Sequence, residues 1–184
     1  VENLLNDIFN AKSKKWKIAI LRYFNPIGAH PSGLIGESPL QKPNNIFPLI
    51  INSAYENIKL NVFGNDWPSH DGTCIRDYIH VMDLAEGHLM AINYLFENNS
   101  QLIKLNLGTG CGYSVLDLIN TFERVNNVKV PFEFTKRRTG DVFKLVANNE
   151  KAIKTINWYP HRTLEEMCRD GWKWKIMNPM GFQN

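Results

Sequence analysis

The sequence predicts an α/β fold, and three features of the chain indicate it. Short apolar runs that could form buried strands alternate with amphipathic stretches of helical periodicity. Loops rich in proline and glycine separate several of these segments. The composition, 43% hydrophobic and 21% charged, is that of a globular protein. Alternating strands and helices are typical of doubly wound sheets, so we expect an α/β fold.

Each element rests on a local pattern. The first helix is predicted because Leu4, Leu5, Ile8 and Phe9 fall on one helical face. Four prolines and three glycines make residues 25–43 a loop. Helices are predicted over residues 2–12, 44–55, 82–96, 114–125 and 163–176, and from about 148. An asparagine can cap the helix at 44–55, and capping boxes open the helices at 114–125 and 163–176. Strands are predicted over residues 17–23, 60–63, 78–81, 103–107 and 131–134.

Charge and hydropathy exclude several classes of partner. The net charge of +3 comes from scattered basic residues, and the one dense run, Lys12 to Lys17, is predicted to be a helix end and turn. No nucleic-acid partner is expected, because that function needs a basic stripe on a recognisable module. No apolar run approaches the roughly 18 residues that span a bilayer, so no membrane segment is expected. The chain opens on Val1 inside a helical pattern, and we expect it to be a fragment.

The cysteines and histidines carry no metal or disulfide pattern. Cys74, Cys111 and Cys168 are odd in number and far apart, which argues against a disulfide framework and against CxxC zinc spacing. We predict buried, reduced thiols, as in a cytoplasmic protein. His80 and His88 are expected to be structural, and no metal is expected.

Three polar clusters lie on predicted loops, where binding residues concentrate. Arg22 to His30 follows a strand, at the edge where such sheets bind ligands. Pro43 to Ile46 precedes a helix, where free N–H groups favour an anion. The segments Asp71 to Tyr78 and Lys136 to Asp141 carry arginines, whose forked guanidinium groups suit a diphosphate. Each cluster alone is better explained by capping, turns or surface charge than by a ligand site.

Together with further motifs, these clusters identify a family. In order, the motifs are Tyr23-Phe-Asn-Pro26, Gly28-Ala-His30, Pro43-Asn-Asn45, Asn61-Val-Phe-Gly-Asn65, Asp71-Gly-Thr73, Arg76-Asp-Tyr-Ile-His-Val-Met-Asp-Leu-Ala85, Asn106-Leu-Gly-Thr-Gly110, Tyr113-Ser-Val-Leu116, Arg137-Arg-Thr-Gly-Asp141, Trp172-Lys-Trp174 and Asn178-Pro179. This series strongly resembles the UDP-glucose 4-epimerases of the extended short-chain dehydrogenase/reductase group, from Val1 to about Phe182.

The resemblance implies an isomerase that binds NAD and a UDP-sugar. It places Tyr23 and Phe24 beside the nicotinamide and the substrate. The other residues it assigns to the substrate are Asn25, Asn44, Asn45 and Ile46 for the diphosphate and sugar, Asn61, Val62 and Phe63 for the uracil, Arg76 and Arg138 for the diphosphate, and Asp141 for the ribose. Phe63 has an alternative role in the core.

Several parts of the family pattern are missing. The glycine-rich dinucleotide loop is absent, because Gly108-Thr-Gly110-Cys-Gly112 lacks the required GxGxxG spacing and is predicted to be a tight turn. The YxxxK pair of the family is also absent. We therefore expect the catalytic pair to precede Val1, no catalytic residue in these 184 residues, and no activity from them alone.

Leu145 matches a position that controls sugar size in this family, but leucine is neither the small nor the aromatic residue found there. Its alternative is a core position on the strand-like stretch 142–146. The function therefore keeps two alternatives: an epimerase for UDP-N-acetylglucosamine, UDP-xylose or UDP-arabinose, or a non-catalytic lobe that binds a UDP-sugar.

The resemblance also implies interleaved domains. Residues 1–22, 77–107 and 158–184 are expected to complete the Rossmann domain, while 23–76 and 108–157 form the UDP-sugar-binding domain. The parent protein is expected to be a homodimer.

Overall fold

Helices and strands alternate along the chain as predicted, in a computed structural model that describes residues 1–11, 15–39, 41 and 43–182. The helices are α1 (Glu2–Ala11), α2 (Ile46–Glu56), α3 (Val81–Glu97), α4 (Val115–Asn126), α5 (Glu150–Ile156) and α6 (Leu164–Met177). The strands are β1 (Lys17–Tyr23), β2 (Asn25–Ile27), β3 (Leu60–Phe63), β4 (Ile75–Arg76), β5 (Tyr78–His80), β6 (Gln101–Leu107), β7 (Tyr113–Ser114), β8 (Phe132–Thr135) and β9 (Lys144–Leu145). Residues 12–14, within the predicted helix end and turn, lie outside the described residues.

Parallel pairing dominates the strands. β1 and β6 pair in parallel over seven residues, from Lys17 opposite Gln101 to Tyr23 opposite Leu107. β2 pairs with β5, and β3 with β8, also in parallel. β4 lies between β7, which is antiparallel to it, and β9, which is parallel. The α/β class predicted from the sequence is therefore confirmed.

Four short strands depart from the predicted elements. β2 lies in the stretch predicted to be a loop, so that prediction is wrong over residues 25–27. Pro26, at the centre of β2, has no N–H to donate, and a proline in the sequence argues against a strand, so β2 was not predicted. β4, β7 and β9 contain two residues each, which is too short to show a period of two.

Buried side chains form two clusters. The first joins α2, β3, α4 and α6, and its fully buried members include Ile50, Leu118 and Phe122. The second joins β5, α3, β6 and α5 around Trp158. Trp158 is completely buried, and its indole N–H donates to the Asp83 carbonyl at 2.8 Å. Burying this ring without that partner would leave a polar group unsatisfied.

Helix ends follow the sequence signals closely. The capping boxes predicted at Ser114 and Thr163 are both present, each with its side-chain and backbone hydrogen bonds. Asn45 occupies the N-cap position of α2, but its side chain makes no capping hydrogen bond, so the expected asparagine cap is wrong in that respect. At their carboxyl ends, α2, α4 and α5 each stop at an asparagine with φ between 51° and 56°. Asparagine tolerates this left-handed conformation better than most residues.

The cysteines divide into buried and exposed. Cys74 and Cys168 are buried, and burial raises the pKa of both thiols, that of Cys168 to about 12. Cys111 is exposed, so the expectation of three buried thiols is wrong for it. Cys111 is exposed because it lies in the turn between β6 and β7, beyond the end of the apolar run that forms β6. Among the described residues, no helix combines the length and apolar character needed to cross a membrane.

The two capping boxes predict a measurable difference in stability. Thr163→Ala removes an exposed cap and is expected to lower the free energy of unfolding by about 1 kcal/mol. Ser114 is fully buried, and its hydroxyl also bonds the Asp71 carboxylate. Ser114→Ala is expected to cost about 1–3 kcal/mol more than Thr163→Ala, because a half-buried carboxylate oxygen loses its partner. Urea denaturation of both variants checks this, and equal losses would contradict it.

Candidate functional site

A cleft between helix α2 and strand β3 brings together part of the predicted site. We call it the α2–β3 cleft; its volume is about 470 Å³. The predicted substrate residues that line it are Asn44, Ile46, Asn61, Phe63 and Arg138. The amino end of α2 borders it, and the Asn45 side chain leaves the first N–H groups of that helix uncapped. Free N–H groups at a helix amino terminus favour an anion.

Strand β3 sorts its side chains between this cleft and the core. Asn61 is exposed and Phe63 partly buried, both lining the cleft, whereas Val62 is only 1% exposed and belongs to the first cluster. The period of two along a strand explains the alternation. Val62 can therefore contact a ligand in the cleft only through its backbone.

The ring of Phe63 has a cation over its face. The guanidinium carbon of Arg138 lies 4.7 Å from the centroid of the Phe63 ring, within cation–π range. The Arg138 side chain is 55% exposed. A planar ring and an accessible guanidinium thus meet at one end of the cleft, an arrangement that suits a ligand with a flat base and an anionic group.

Asp141 joins the two arginines that were predicted to contact the diphosphate. One carboxylate oxygen lies 3.5 Å from a terminal nitrogen of Arg76, and the other lies 3.6 Å from Nε of Arg138. Arg76 is held further by hydrogen bonds to the carbonyls of Ile75 (2.8 Å) and Val142 (2.9 Å). The two arginines and Asp141 therefore form one connected group beside the cleft.

A second group lies at the carboxyl end of β1 and does not line the cleft. Tyr23 is 52% exposed, and its hydroxyl lies 2.9 Å from Nε2 of His88. The other ring nitrogen of His88, Nδ1, donates to the Leu84 carbonyl, so in the neutral ring Nε2 accepts a hydrogen bond from the Tyr23 hydroxyl. Phe24 N–H donates to the Leu107 carbonyl.

Asn25 and Leu145 are connected through Asp77, a residue to which the sequence motifs gave no role. Asn25 N–H donates to the Asp77 carbonyl at 3.0 Å, and Asp77 N–H donates to the Leu145 carbonyl at 3.1 Å. Leu145 is 49% exposed and lies opposite Arg76 in the β4–β9 pair. The alternative that Leu145 fills the core is therefore wrong. Asp77 lies within the Arg76-Asp-Tyr78 motif, so its signal was present in the sequence.

Other lining residues were also missed. Leu49, Asn52, Ser53 and Glu56 on α2 line the cleft, with spacings of three and four residues. This spacing places them on one helical face, and it could have been found once α2 was known to border the site. Asn45, by contrast, is exposed and is not among the described lining residues.

A second, smaller cavity competes with this assignment. This cavity, of about 350 Å³, lies between α2 and the carboxyl end of α6 and is lined by residues that include Phe47, Trp174 and Pro179. The described residues that line it include none of the predicted site residues. We assign the site to the α2–β3 cleft because a ring, an arginine and a helix amino terminus converge there.

A YxxxK pattern does occur, contrary to the sequence analysis, but its geometry is unsuitable. Tyr55 and Lys59 have the right spacing, yet α2 ends at Glu56 and Asn57 is left-handed. The two side chains therefore do not lie one helical turn apart on a shared face. Tyr78 is also no candidate base, because burial raises its pKa well above the usual range.

Among the described residues, two groups of carboxylates and histidine have atoms close enough to share an ion: His70 with Asp71 and Asp117, and Asp83 with Glu86 and His161. Asp71 is hydrogen-bonded to Ser114 and Thr73, and Asp83 is bonded to Arg162. These bonds account for the positions of both carboxylates, and neither group carries an argument for a metal.

The fold is that of an α/β protein, and its cleft combines an aromatic ring, an arginine and a helix amino terminus. The chain belongs to the NAD dependent epimerase/dehydratase family, whose sequence model matches residues 4–108. The family resemblance inferred from the motifs is thereby confirmed.

Individual relatives point the same way. UDP-glucose 4-epimerase from Yersinia enterocolitica is 50% identical over 183 residues, covering 99% of this chain and 53% of the relative. The UDP-glucose 4-epimerase of Bacillus subtilis (strain 168) is 46% identical over 185 residues, covering 100% of this chain and 54% of the relative. Both relatives are isomerases.

Among solved structures, UDP-glucose-4-epimerase from Stenotrophomonas maltophila, with bound NAD and formylated UDP-arabinopyranose, superposes with a TM-score of 0.92. It is 45% identical, and the match covers 97% of this chain and 53% of that one. This chain thus spans about half the length of each of these three relatives.

Proposed function

We propose that the protein containing this chain is an NAD-dependent epimerase that interconverts UDP-glucose and UDP-galactose by transient oxidation at C4 of the sugar. In this proposal the present chain supplies the UDP-sugar site. The observation that carries it is the convergence of Asn44, Asn61, Phe63 and Arg138 on the α2–β3 cleft. The epimerase relatives, which align over the whole chain, support the same reaction.

Each part of the ligand has a matching partner in the chain. The uracil fits against Phe63 and beside Asn61, which lie on the same face of β3. The diphosphate fits between Arg138 and the uncapped amino end of α2, and it would draw Arg76 and Arg138 away from Asp141. Asp141 is then free to accept hydrogen bonds from the ribose hydroxyls.

The residues present fit only one end of the cofactor. Tyr23 and Phe24 place aromatic rings at the carboxyl edge of a parallel strand pair, where a planar nicotinamide could lie. Bound NAD⁺ supplies the chemistry by accepting and returning the hydride of the sugar carbon. The Tyr23 hydroxyl, held by His88, fixes the orientation of its ring there. The chain has no GxGxxG loop for the cofactor's diphosphate. We therefore propose that these 184 residues alone are inactive and include no catalytic base.

The domain division also stays a proposal. Ile79, Leu105 and Trp158, from segments assigned to the Rossmann domain, share the second cluster, which supports that assignment. Ala152 and Ile156 belong to the same cluster although they fall in the segment assigned to the UDP-sugar-binding domain, so the cluster does not support the boundary at residue 158. Helix α6 contributes Met167 to the first cluster and so packs against the proposed UDP-sugar domain. A homodimeric parent and a cytoplasmic location are further proposals that rest on the family resemblance.

The diphosphate assignment predicts a ranking of variants in the full-length protein. Arg138→Leu is expected to raise the Kd for UDP by roughly tenfold or more, because a charge-assisted fork contributes about 1.5–3 kcal/mol. Arg138→Lys is expected to raise it less, since the charge remains and the fork is lost. Calorimetric titration with UDP measures both.

Lys136→Leu is the matched control, because it removes a nearby positive charge that does not line the α2–β3 cleft. Its effect on the Kd is expected to be the smallest of the three. If Lys136 proved more important than Arg138, the assignment of the phosphate contact would be wrong.

If Leu145 faces the sugar, the full-length protein is expected to show a graded preference between small and N-acetylated sugars. Leucine is smaller than tyrosine, so an N-acetyl group is expected to be partly admitted, and Leu145→Tyr is expected to lower kcat/KM for UDP-N-acetylgalactosamine relative to UDP-galactose. Shape discrimination of this kind is worth about 1–3 kcal/mol, or roughly 5- to 150-fold in the ratio. Steady-state assays of the full-length protein measure the ratio, with the 184-residue chain as the inactive control. A ratio unaltered by tyrosine would exclude Leu145 as the residue that sets sugar size.

A further inference from the structure

Asp77 is a buried carboxylate whose four hydrogen bonds all come from neutral donors. It is 0% exposed. One oxygen accepts the N–H of Thr109 at 2.9 Å and its hydroxyl at 2.6 Å. The other accepts the N–H of Gly110 at 2.9 Å and the N–H of Ala147 at 3.1 Å. Among the described residues, no salt bridge involves Asp77.

This arrangement requires an acid and not merely a polar residue. All four donors point at two oxygens, and hydrogen bonds to an ionised acceptor are stronger than neutral ones. In Asp77→Asn, one oxygen becomes an NH₂ group, which must face donors whichever way the amide turns. Two favourable contacts are then lost without any change in volume.

The bonds of Asp77 tie strand β9 to the turn after β6. Along this side of β9, the N–H of Ile75 bonds the Phe143 carbonyl, the N–H of Asp77 bonds the Leu145 carbonyl, and the N–H of Ala147 bonds the Asp77 side chain. Leu145 makes the second of these bonds through its own carbonyl, and the third lies two residues further on. Without the third, the next bonds that hold the chain after Leu145 are those of the Asn148 carbonyl and the Asn149 side chain.

Gly108 shows how closely these segments approach one another. A Cβ atom at Gly108 would lie 2.6 Å from Cβ of Ala147, 2.8 Å from the Asp77 carboxylate and 3.1 Å from the ring of Phe24. No side chain fits there, so the turn, the end of β9 and the segment after β1 are packed in contact. A shift of one of them has to move the others.

We propose that Asp77 is a positioning residue that fixes the sugar end of the site, acting through Leu145, Phe24 and Asn25. The inference rests on the proposed function, because it takes Leu145 as the residue that faces the sugar. It separates two properties of the site. Sugar discrimination depends on Asp77. The affinity for UDP depends instead on the α2–β3 cleft and on Arg76, whose guanidinium bonds the carbonyls of Ile75 and Val142 and not Asp77.

The test compares three variants of the full-length protein: Asp77→Asn, Thr109→Val and Asp83→Asn. Asp83 is the control, because it is equally buried and accepts the backbone N–H groups of His161 and Arg162, yet belongs to a different part of the fold. Unlike Asp77 it also pairs with the Arg162 guanidinium, so Asp83→Asn is expected to disturb its surroundings at least as much. For each variant we measure the Kd for UDP, the ratio of kcat/KM for UDP-galactose to that for UDP-N-acetylgalactosamine, and amide hydrogen exchange.

Asp77→Asn is expected to change the sugar ratio by about fivefold or more and to leave the Kd for UDP within about twofold. Hydrogen exchange is expected to speed up in residues 108–112 and 143–147 but not in 43–56. Asp83→Asn should leave the ratio as it is. Thr109→Val removes one of the four donors, and it is expected to shift the ratio in the same direction by more than about twofold.

A ratio within about twofold of the unsubstituted protein in Asp77→Asn would overturn the proposal. If that variant does not fold, an unchanged ratio in Thr109→Val would overturn it instead. Failure of the unsubstituted protein to bind UDP would contradict the proposed function itself, whereas normal UDP binding with an unchanged ratio contradicts only the role of Asp77.

Discussion

The segment Ile75 to His80 is the constraint on which the candidate site depends. Its first two residues pair with β7 on one side and β9 on the other, and its last three pair with β2. Asp77 connects these pairings through its own backbone and side chain. Residues far apart in sequence, from Asn25 to Leu145, are thereby held in a fixed relation to one extended segment.

The two carboxylates of the site, Asp141 and Asp77, differ in whether their hydrogen-bond partners can be exchanged for a ligand. Asp141 contacts Arg76 and Arg138 at 3.5–3.6 Å, distances that leave room for a better acceptor such as a diphosphate oxygen. Asp77 is fully buried among four closer donors and has no such freedom. Two carboxylates of the same site are therefore suited to different tasks, one to ligand exchange and one to rigidity.

Elements that depend on a local pattern, such as capped helices, were predicted from the sequence. Short strands that depend on pairing with a distant segment were not. Helix α4 was predicted from its capping box because Ser114 and Asp117 are three residues apart. Strand β9 could not be predicted in this way, because two residues carry no periodicity and its partner β4 lies about 70 residues away in the chain. The family motifs identified Arg138 and Phe63, but the role of Asp77 depends on Thr109, Gly110 and Ala147, which only the folded chain brings together.

The central claim is that the α2–β3 cleft binds the uridine diphosphate part of the ligand. The most direct measurement is a titration of the full-length, isotope-labelled protein with UDP, followed by the chemical shifts of its backbone amides. The largest changes are expected in residues 44–46, 60–63 and 136–141, which border the cleft or flank Arg138. Changes centred on the separate cavity beside Phe47, Trp174 and Pro179, with the cleft unaffected, would contradict it.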